Sequence, residues 1–248
     1  MDLDLLATSG VFSAARAREA GLTAADVRRL LADRRITRLH RGWYAARHVD
    51  GDLDRHRLRV ETLLQEYADT AVATGVSALV RLGLPTYRRA LRRVHLTLLD
   101  PAMYRHRKPD LLVAGADRDA GLSPTRLGTV HPALALAETG LTGAREFLVP
   151  LDAALARRLV DREELGRAVD VRSGRRGVAG MRAAPDWCDG RHESPGETLA
   201  SYVLRTARRV RRPAEVRPGA GPVGRETPGG PHTVGGLGGR AAHPGRPA

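Results

Sequence analysis

Seven residues in one short stretch, "GLTAADVRRLLADRRITRLHRGWYAAR" (Gly21 to Arg47), have the types and spacing to hold a polyanion: Thr23, Ala25, Arg28, Arg29, Arg38, His40 and Arg41. Thr23 is placed to cap a helix, and Asp26, three residues on, completes a capping-box pair near the positive helix end. Val27, Leu30 and Leu31 make one apolar stripe of that helix, while Ala25, Arg28, Arg29 and Ala32 lie broadly on the other side. Alanines there permit close approach to a partner, and arginine forks reach base edges or phosphates.

Two flanking elements must position that helix. In "GVFSAARAREAGL", Ser13 is a good N-cap, Phe12 before it can act as a hydrophobic staple, and Gly21 is placed to end the helix. The turn to the second helix is short and contains that glycine, as a helix-turn-helix requires. After the second helix, Ile36 to Leu39 has β propensity, Arg41-Gly42 is a turn and Trp43-Tyr44 restarts a strand. A hairpin directly after a recognition helix is a wing, and Arg38, His40 and Arg41 near its tip would meet backbone phosphates or a minor groove. The competing reading is a solvated basic face on an ordinary small domain.

Composition leans toward the polyanion. The formal net charge is +13 over 248 residues, 42% of them hydrophobic but only 4% aromatic. A balance this basic favours a partner whose phosphates release counterions when neutralised. The positive charge is nearly all arginine, Lys108 being the one lysine, which fits phosphate and guanine recognition and equally fits a GC-rich gene. Cys188 is the single cysteine, so an internal disulfide and a cysteine-based metal site are excluded. The start lacks the basic region of a signal peptide, and no apolar run reaches the roughly 18 residues of a membrane helix, so the expected place is the cytoplasm and no membrane partner is expected.

Other candidate chemistry is weaker. Metal-assisted phosphodiester hydrolysis needs several carboxylates around a divalent cation and a lysine near the attacking water. Glu193 and Glu197 share one helical turn, but after Asp189 no aspartate follows, and no lysine follows Lys108. The pair reads equally as helix N-terminal charge. His40, His48 and His56 are evenly spaced without zinc-ligand logic and are expected at the surface. His131-Pro132 reads as a turn before a helix, Ser77 in "GVSALV" lacks a nucleophile elbow, and Cys188 reads as an incidental thiol. No cofactor and no metal are expected.

Phe12-Ser13, Ala20-Gly21-Leu22, Val27-Arg28-Arg29-Leu30 and the ending Arg38-Leu39-His40-Arg41-Gly42-Trp43-Tyr44 resemble the N-terminal winged-helix domain of AbiEi-type antitoxins. The resemblance implies a type IV toxin–antitoxin protein whose N-terminal domain binds promoter DNA to repress its own operon. It continues in "GVSALVRLGLP", "RRVHLTLLD", "VPLDAALARRLVDREELGRAV" and "HESPGET". These are similar to actinobacterial proteins joining that winged helix to a nuclease-like domain of the very-short-patch-repair, PD-(D/E)XK type. Glu197 would match the carboxylate on that domain's first helix; the rest of the family's carboxylate and lysine set has no counterpart here, so nuclease activity is not expected.

The fold class expected is therefore α+β. It comprises a winged helix-turn-helix over 1–48, a mixed α+β middle domain over 50–185, the first helix of a nuclease-like domain over 186–212 and a disordered tail over 213–248. "RLRVETLLQEYAD", "TGVSALVRLG", "PALALAETG", "AREFLVPLDAALARRLV" and "REELGRAVD" read as helices, with "RRVHLTLLD" and "DLLVAG" as strands. Leu58, Leu64, Leu151, Leu155 and Leu159 are expected in the core. The tail holds 17 Gly or Pro among 36 residues, and residues 205–248 carry nine Arg against two Glu. Such a tail is either an arm that holds nucleic acid without sequence preference or the product of a reading-frame shift in a GC-rich gene, the latter being favoured. The partners expected are double-stranded DNA at an operator or promoter, a cognate toxin protein and a second copy of the chain. The rival functions are a degenerate endonuclease and an antitoxin that works by protein contact.

Overall fold

A run of short elements occupies the N-terminal part of the computed structural model: β1 (Val11–Ser13), α1 (Ala14–Glu19), α2 (Ala24–Ala32), β2 (Thr37–His40) and β3 (Trp43–Ala45). The structure describes residues 3–68, 70–87, 91–100, 107–108, 111–115, 121–188, 190–192 and 194–211. The three strands form an antiparallel sheet in the order β1-β3-β2, with Phe12 opposite Tyr44 and Arg38 opposite Tyr44 on the other side. The hairpin was legible from sequence; β1 was not, because three residues ending in a helix cap carry no alternation to read.

The chain continues through α3 (Asp52–Tyr67), β4 (Ala71–Ala73), α4 (Gly75–Arg81), β5 (Val94–Leu98), β6 (Arg107–Lys108), β7 (Leu111–Gly115), α5 (Pro132–Gly140), α6 (Ala144–Ala156), α7 (Arg162–Asp170), α8 (Val178–Ala183) and α9 (Pro195–Arg211). The second sheet runs β4-β5-β7-β6, with β5 and β7 parallel and both outer pairs antiparallel. The class is thus mixed α+β, as expected. The tail from residue 212, and Glu193, lie outside the described residues.

Burial explains the arrangement. Val94, Leu96 and Leu98 fall on one face of β5 by the strand's period of two, and all are buried. α5 is buried from Pro132 to Ala137 and again at Thr139 and Gly140, so it is a central helix packed by α4, α6, α7 and α8. Its alanines allow that close surround, and Gly140 lies where an added Cβ would fall 2.8 Å from the Phe147 ring. Leu151 is fully buried, while Leu64, Leu155 and Leu159 are partly buried against the same core.

α3 serves two cores. Leu58 packs with Val11, Leu39, Ala45 and Val49 of the N-terminal elements, whereas Val60 and Leu63 face the main body. Residues 1–211 accordingly form one compact unit. A fragment ending at residue 48 would expose Val11 and Leu39, because the helix that covers them begins at Asp52.

His56 corrects the expectation of a surface histidine. It lies inside α3, 1% exposed, because its position shares the buried face with Val60 and Leu63. Nδ1 is 2.8 Å from the Leu91 carbonyl and therefore carries the proton, and Nε2 accepts from the Ser77 hydroxyl at 3.0 Å. Ser77 Oγ in turn accepts the His95 backbone N–H at 2.9 Å. The neutral ring is fully satisfied, and burial holds its pKa below the usual 6.5, outweighing the opposing pull of the Leu91 carbonyl. Since the unfolded chain takes up a proton first, stability contributed by the neutral ring is present above pH 6.5 and is lost as the pH falls toward the folded pKa. Urea titrations from pH 7.5 to 5 should show the stability gap between the native chain and His56→Gln narrowing; a gap constant with pH contradicts this assignment.

Candidate nucleic-acid interface

The two short helices are joined by local chemistry that can be traced bond by bond. Ser13 caps α1, its Oγ accepting from the Arg16 N–H at 3.1 Å. At the other end, the Leu22 N–H donates to the Ala17 carbonyl and the Gly21 N–H to the Arg18 carbonyl, both at 2.9 Å. That pair of bonds is a Schellman stop, and it requires the left-handed backbone that Gly21 adopts at φ +84°. Phe12 and Ala17, the staple positions, lie in one small apolar cluster with Ile36.

Thr23 begins α2. Its hydroxyl accepts from the Asp26 N–H at 3.1 Å, while its own N–H donates to Asp26 Oδ2 at 2.9 Å. Hydrogen bonds from the Thr23 hydroxyl, then its backbone, then Arg29 hold the Asp26 carboxyl below the usual carboxylate range. Thr23 therefore acts on the helix it starts. Thr23→Ala should cost about 1 kcal/mol in urea unfolding, with Thr23→Ser retaining most of it; equal loss in both would place the effect elsewhere.

The arginines divide by engagement. Arg29 pairs with Asp26 on its own helix. Arg28 is exposed and ties only Nε, to the Ala24 carbonyl at 3.2 Å, which leaves its terminal nitrogens outward. Ala25 is exposed beside it. On the hairpin, Arg38 and Arg41 are exposed, Arg41 at the tight turn that Gly42 makes with φ +79°. His40 does not join them. Thr62 gives its hydroxyl proton to the Arg59 carbonyl at 2.8 Å, so its oxygen accepts from His40 Nε2 at 2.7 Å. The His40 ring, held also beside Trp43 with ring centres 6.2 Å apart, faces α3.

Sequence reading missed Arg18. It lies on α1, exposed, with Nε donating to the Ala14 carbonyl at 3.4 Å. The Gly21 turn folds α1 back on α2, so Arg18, Arg28 and Arg38 come from three elements to line one groove of about 370 Å3. None of the three pairs with a carboxylate among the described residues. The signal available was the turn itself, which places the last turn of a first helix beside the first turn of a second.

Of the pair considered for nuclease chemistry, Glu197 is engaged in the cap of α9. Ser194 caps α9, accepting from the Glu197 N–H at 3.3 Å, and its hydroxyl donates to Glu197 Oε1 at 3.1 Å. Among the described residues no three or more His, Cys, Asp or Glu gather as metal ligands. Cys188 is buried, its thiol donating weakly to the Leu148 carbonyl at 3.7 Å. His131 caps α5, Nδ1 accepting from the Ala133 N–H at 3.3 Å. Asp152, which the sequence did not single out, is buried on α6 and accepts three hydrogen bonds, from Gly190 and His192 in the segment that leads into α9 and from Thr198 in its first turn.

Among the described residues no helix is long and apolar enough to cross a membrane. No family model and no curated protein matches the chain. Among solved structures, the RV2827C protein from Mycobacterium tuberculosis is similar over 78% of this chain and 75% of that one, at 19% identity and a TM-score of 0.43. A likeness that loose carries neither fold nor function.

Proposed function

We propose that residues 1–48 are a winged helix-turn-helix that reads duplex DNA, and that the protein is a regulator repressing its own promoter in the manner of AbiEi-type antitoxins. The observation that carries this reading is the convergence of Arg18, Arg28 and Arg38 on one groove, exposed and without carboxylate partners among the described residues. Guanidinium forks without carboxylate partners, brought together from two helices and a strand, are what a phosphate backbone and guanine edges recruit. α2 has no buried residue, and a helix some 10–12 Å across fits a major groove about 12 Å wide. Arg38 and Arg41 then sit on the hairpin as a wing against the backbone, with Arg28 as the base-edge reader. Thr23 and Ala25 hold and clear the approach.

In this reading the chain is no enzyme and uses no cofactor, since Glu197, the one match to the nuclease pattern, serves the cap of α9. A cognate toxin and a second copy of the chain are its protein partners, and the cytoplasm is its place of work. Titration of the full chain with its own upstream DNA and with random DNA, across a salt series, tests the proposal. Preference for the upstream DNA supports it, and equal affinity for both refutes it.

A further inference from the structure

We propose that the groove between α1, α2 and the hairpin is also a binding site for a small apolar anion, an aromatic carboxylate. Its volume of about 370 Å3 lies in the range, roughly 300–1,000 Å3, of sites that hold small organic ligands. The floor is apolar: Ala17 is buried, and Leu22, Val27, Leu31 and Tyr44 are each half-buried. The Tyr44 ring is fixed there, stacked on the buried Phe12 with ring centres 5.5 Å apart and planes at 28°. No acidic residue lines the groove, while Arg18, Arg28 and Arg38 do.

The charge and the floor ask for different things, and one ligand answers both. Arg18 and Arg28 each spend Nε on a carbonyl of their own helix, so their terminal nitrogens remain for a carboxylate, which a guanidinium binds as a fork. Duplex DNA satisfies the arginines yet offers the floor only base edges and sugars. A whole helix, about 10–12 Å across, is too wide for this volume. A ring-sized apolar body bearing a carboxylate covers the floor and meets the rim. The same arginines then cannot hold phosphate, so the ligand releases DNA; this regulatory half rests on the DNA-binding reading, and the ligand site does not.

The test uses the full chain and 2-naphthoate, with 2-naphthamide as the neutral probe. Chemical-shift titration should show saturable one-site binding centred on Val27, Leu31 and Tyr44. The amide, and the double variant Arg28→Gln with Arg38→Gln, should each bind about tenfold more weakly. Ala24→Leu, at an exposed position lining the groove, should block the probe without unfolding the chain. No saturable binding, equal binding of the amide, shifts centred elsewhere, or occupancy by an acidic peptide alone overturns the site. In a second arm, naphthoate at ten times its Kd should weaken binding of upstream DNA roughly tenfold, as simple competition requires. Unchanged DNA affinity overturns the regulation and leaves the ligand site standing. Failure to bind DNA without naphthoate overturns the reading head, and the regulation with it, but not the ligand site.

Discussion

Replacing Arg18, Arg28 and Arg38 together by glutamine is expected to weaken binding of the full chain to its upstream DNA by about a thousandfold at 0.1 M salt. Each phosphate neutralised contributes roughly −0.9 to the slope of log K against log salt, so loss of the Arg18 and Arg38 phosphate contacts removes about 1.8 from that slope and nearly two decades at this salt, and loss of the Arg28 base contact, about 1–3 kcal/mol, supplies roughly one decade more. The fold should survive: all three side chains are exposed, and two of them bond only to a carbonyl one helical turn away on their own helix. The contrast is Arg29→Gln, whose guanidinium is held by Asp26 and should change affinity severalfold at most. If Arg29→Gln costs as much as the triple variant, the division between engaged and free arginines is wrong.

Asp152→Ala is expected to cost about 3 kcal/mol and to lower the melting temperature by about 10 °C. The carboxylate is 1% exposed. Oδ1 accepts the Gly190 N–H at 3.0 Å, and Oδ2 accepts His192 Nδ1 at 2.7 Å and the Thr198 hydroxyl at 3.0 Å. Removing it strands the Gly190 N–H and His192 Nδ1 and leaves the hydroxyl of the buried Thr198 only its longer bond to the Ser194 carbonyl, at 3.3 Å. Gly190 is part of the same fastening: an added Cβ would fall 2.9 Å from the Ala156 nitrogen, at a φ of +72° that side chains rarely adopt. Asp152→Asn, which keeps an acceptor, should cost less than half as much. Hydrogen exchange should show the loss first in α9; exchange raised uniformly across α5 and α6 instead would mean that Asp152 supports the core rather than this attachment.

What the sequence made legible follows its local signals. The caps at Ser13 and Thr23 were readable because each hydroxyl and the N–H that donates to it lie within three residues. The helix "PALALAETG" was readable end to end, its proline fitting the first turn. β1 and β4 were not, since three residues each give too short a pattern and their pairing is set by tertiary contact. His56 was misjudged because its partners, Leu91 and Ser77, lie 35 and 21 residues away. The same holds for Asp152, whose donors come about 40 residues later. Of the candidate interface, Arg28, Arg38 and Arg41 are as exposed as their spacing implied, while His40 turns inward and Arg18 joins through the turn.

The central claim is that "LTAADVRRLLADRRITRLHRGWY" reads DNA sequence and does more than present charge. The most direct test is the ratio of affinities for upstream and random DNA, measured at several salt concentrations for the native chain, for Arg28→Gln and for a chain ending at Arg211. The account predicts at least a tenfold preference for upstream DNA in the native chain, kept when residues 212–248 are removed and collapsed by Arg28→Gln. Equal affinity for both DNAs, or a preference that survives Arg28→Gln, would contradict it.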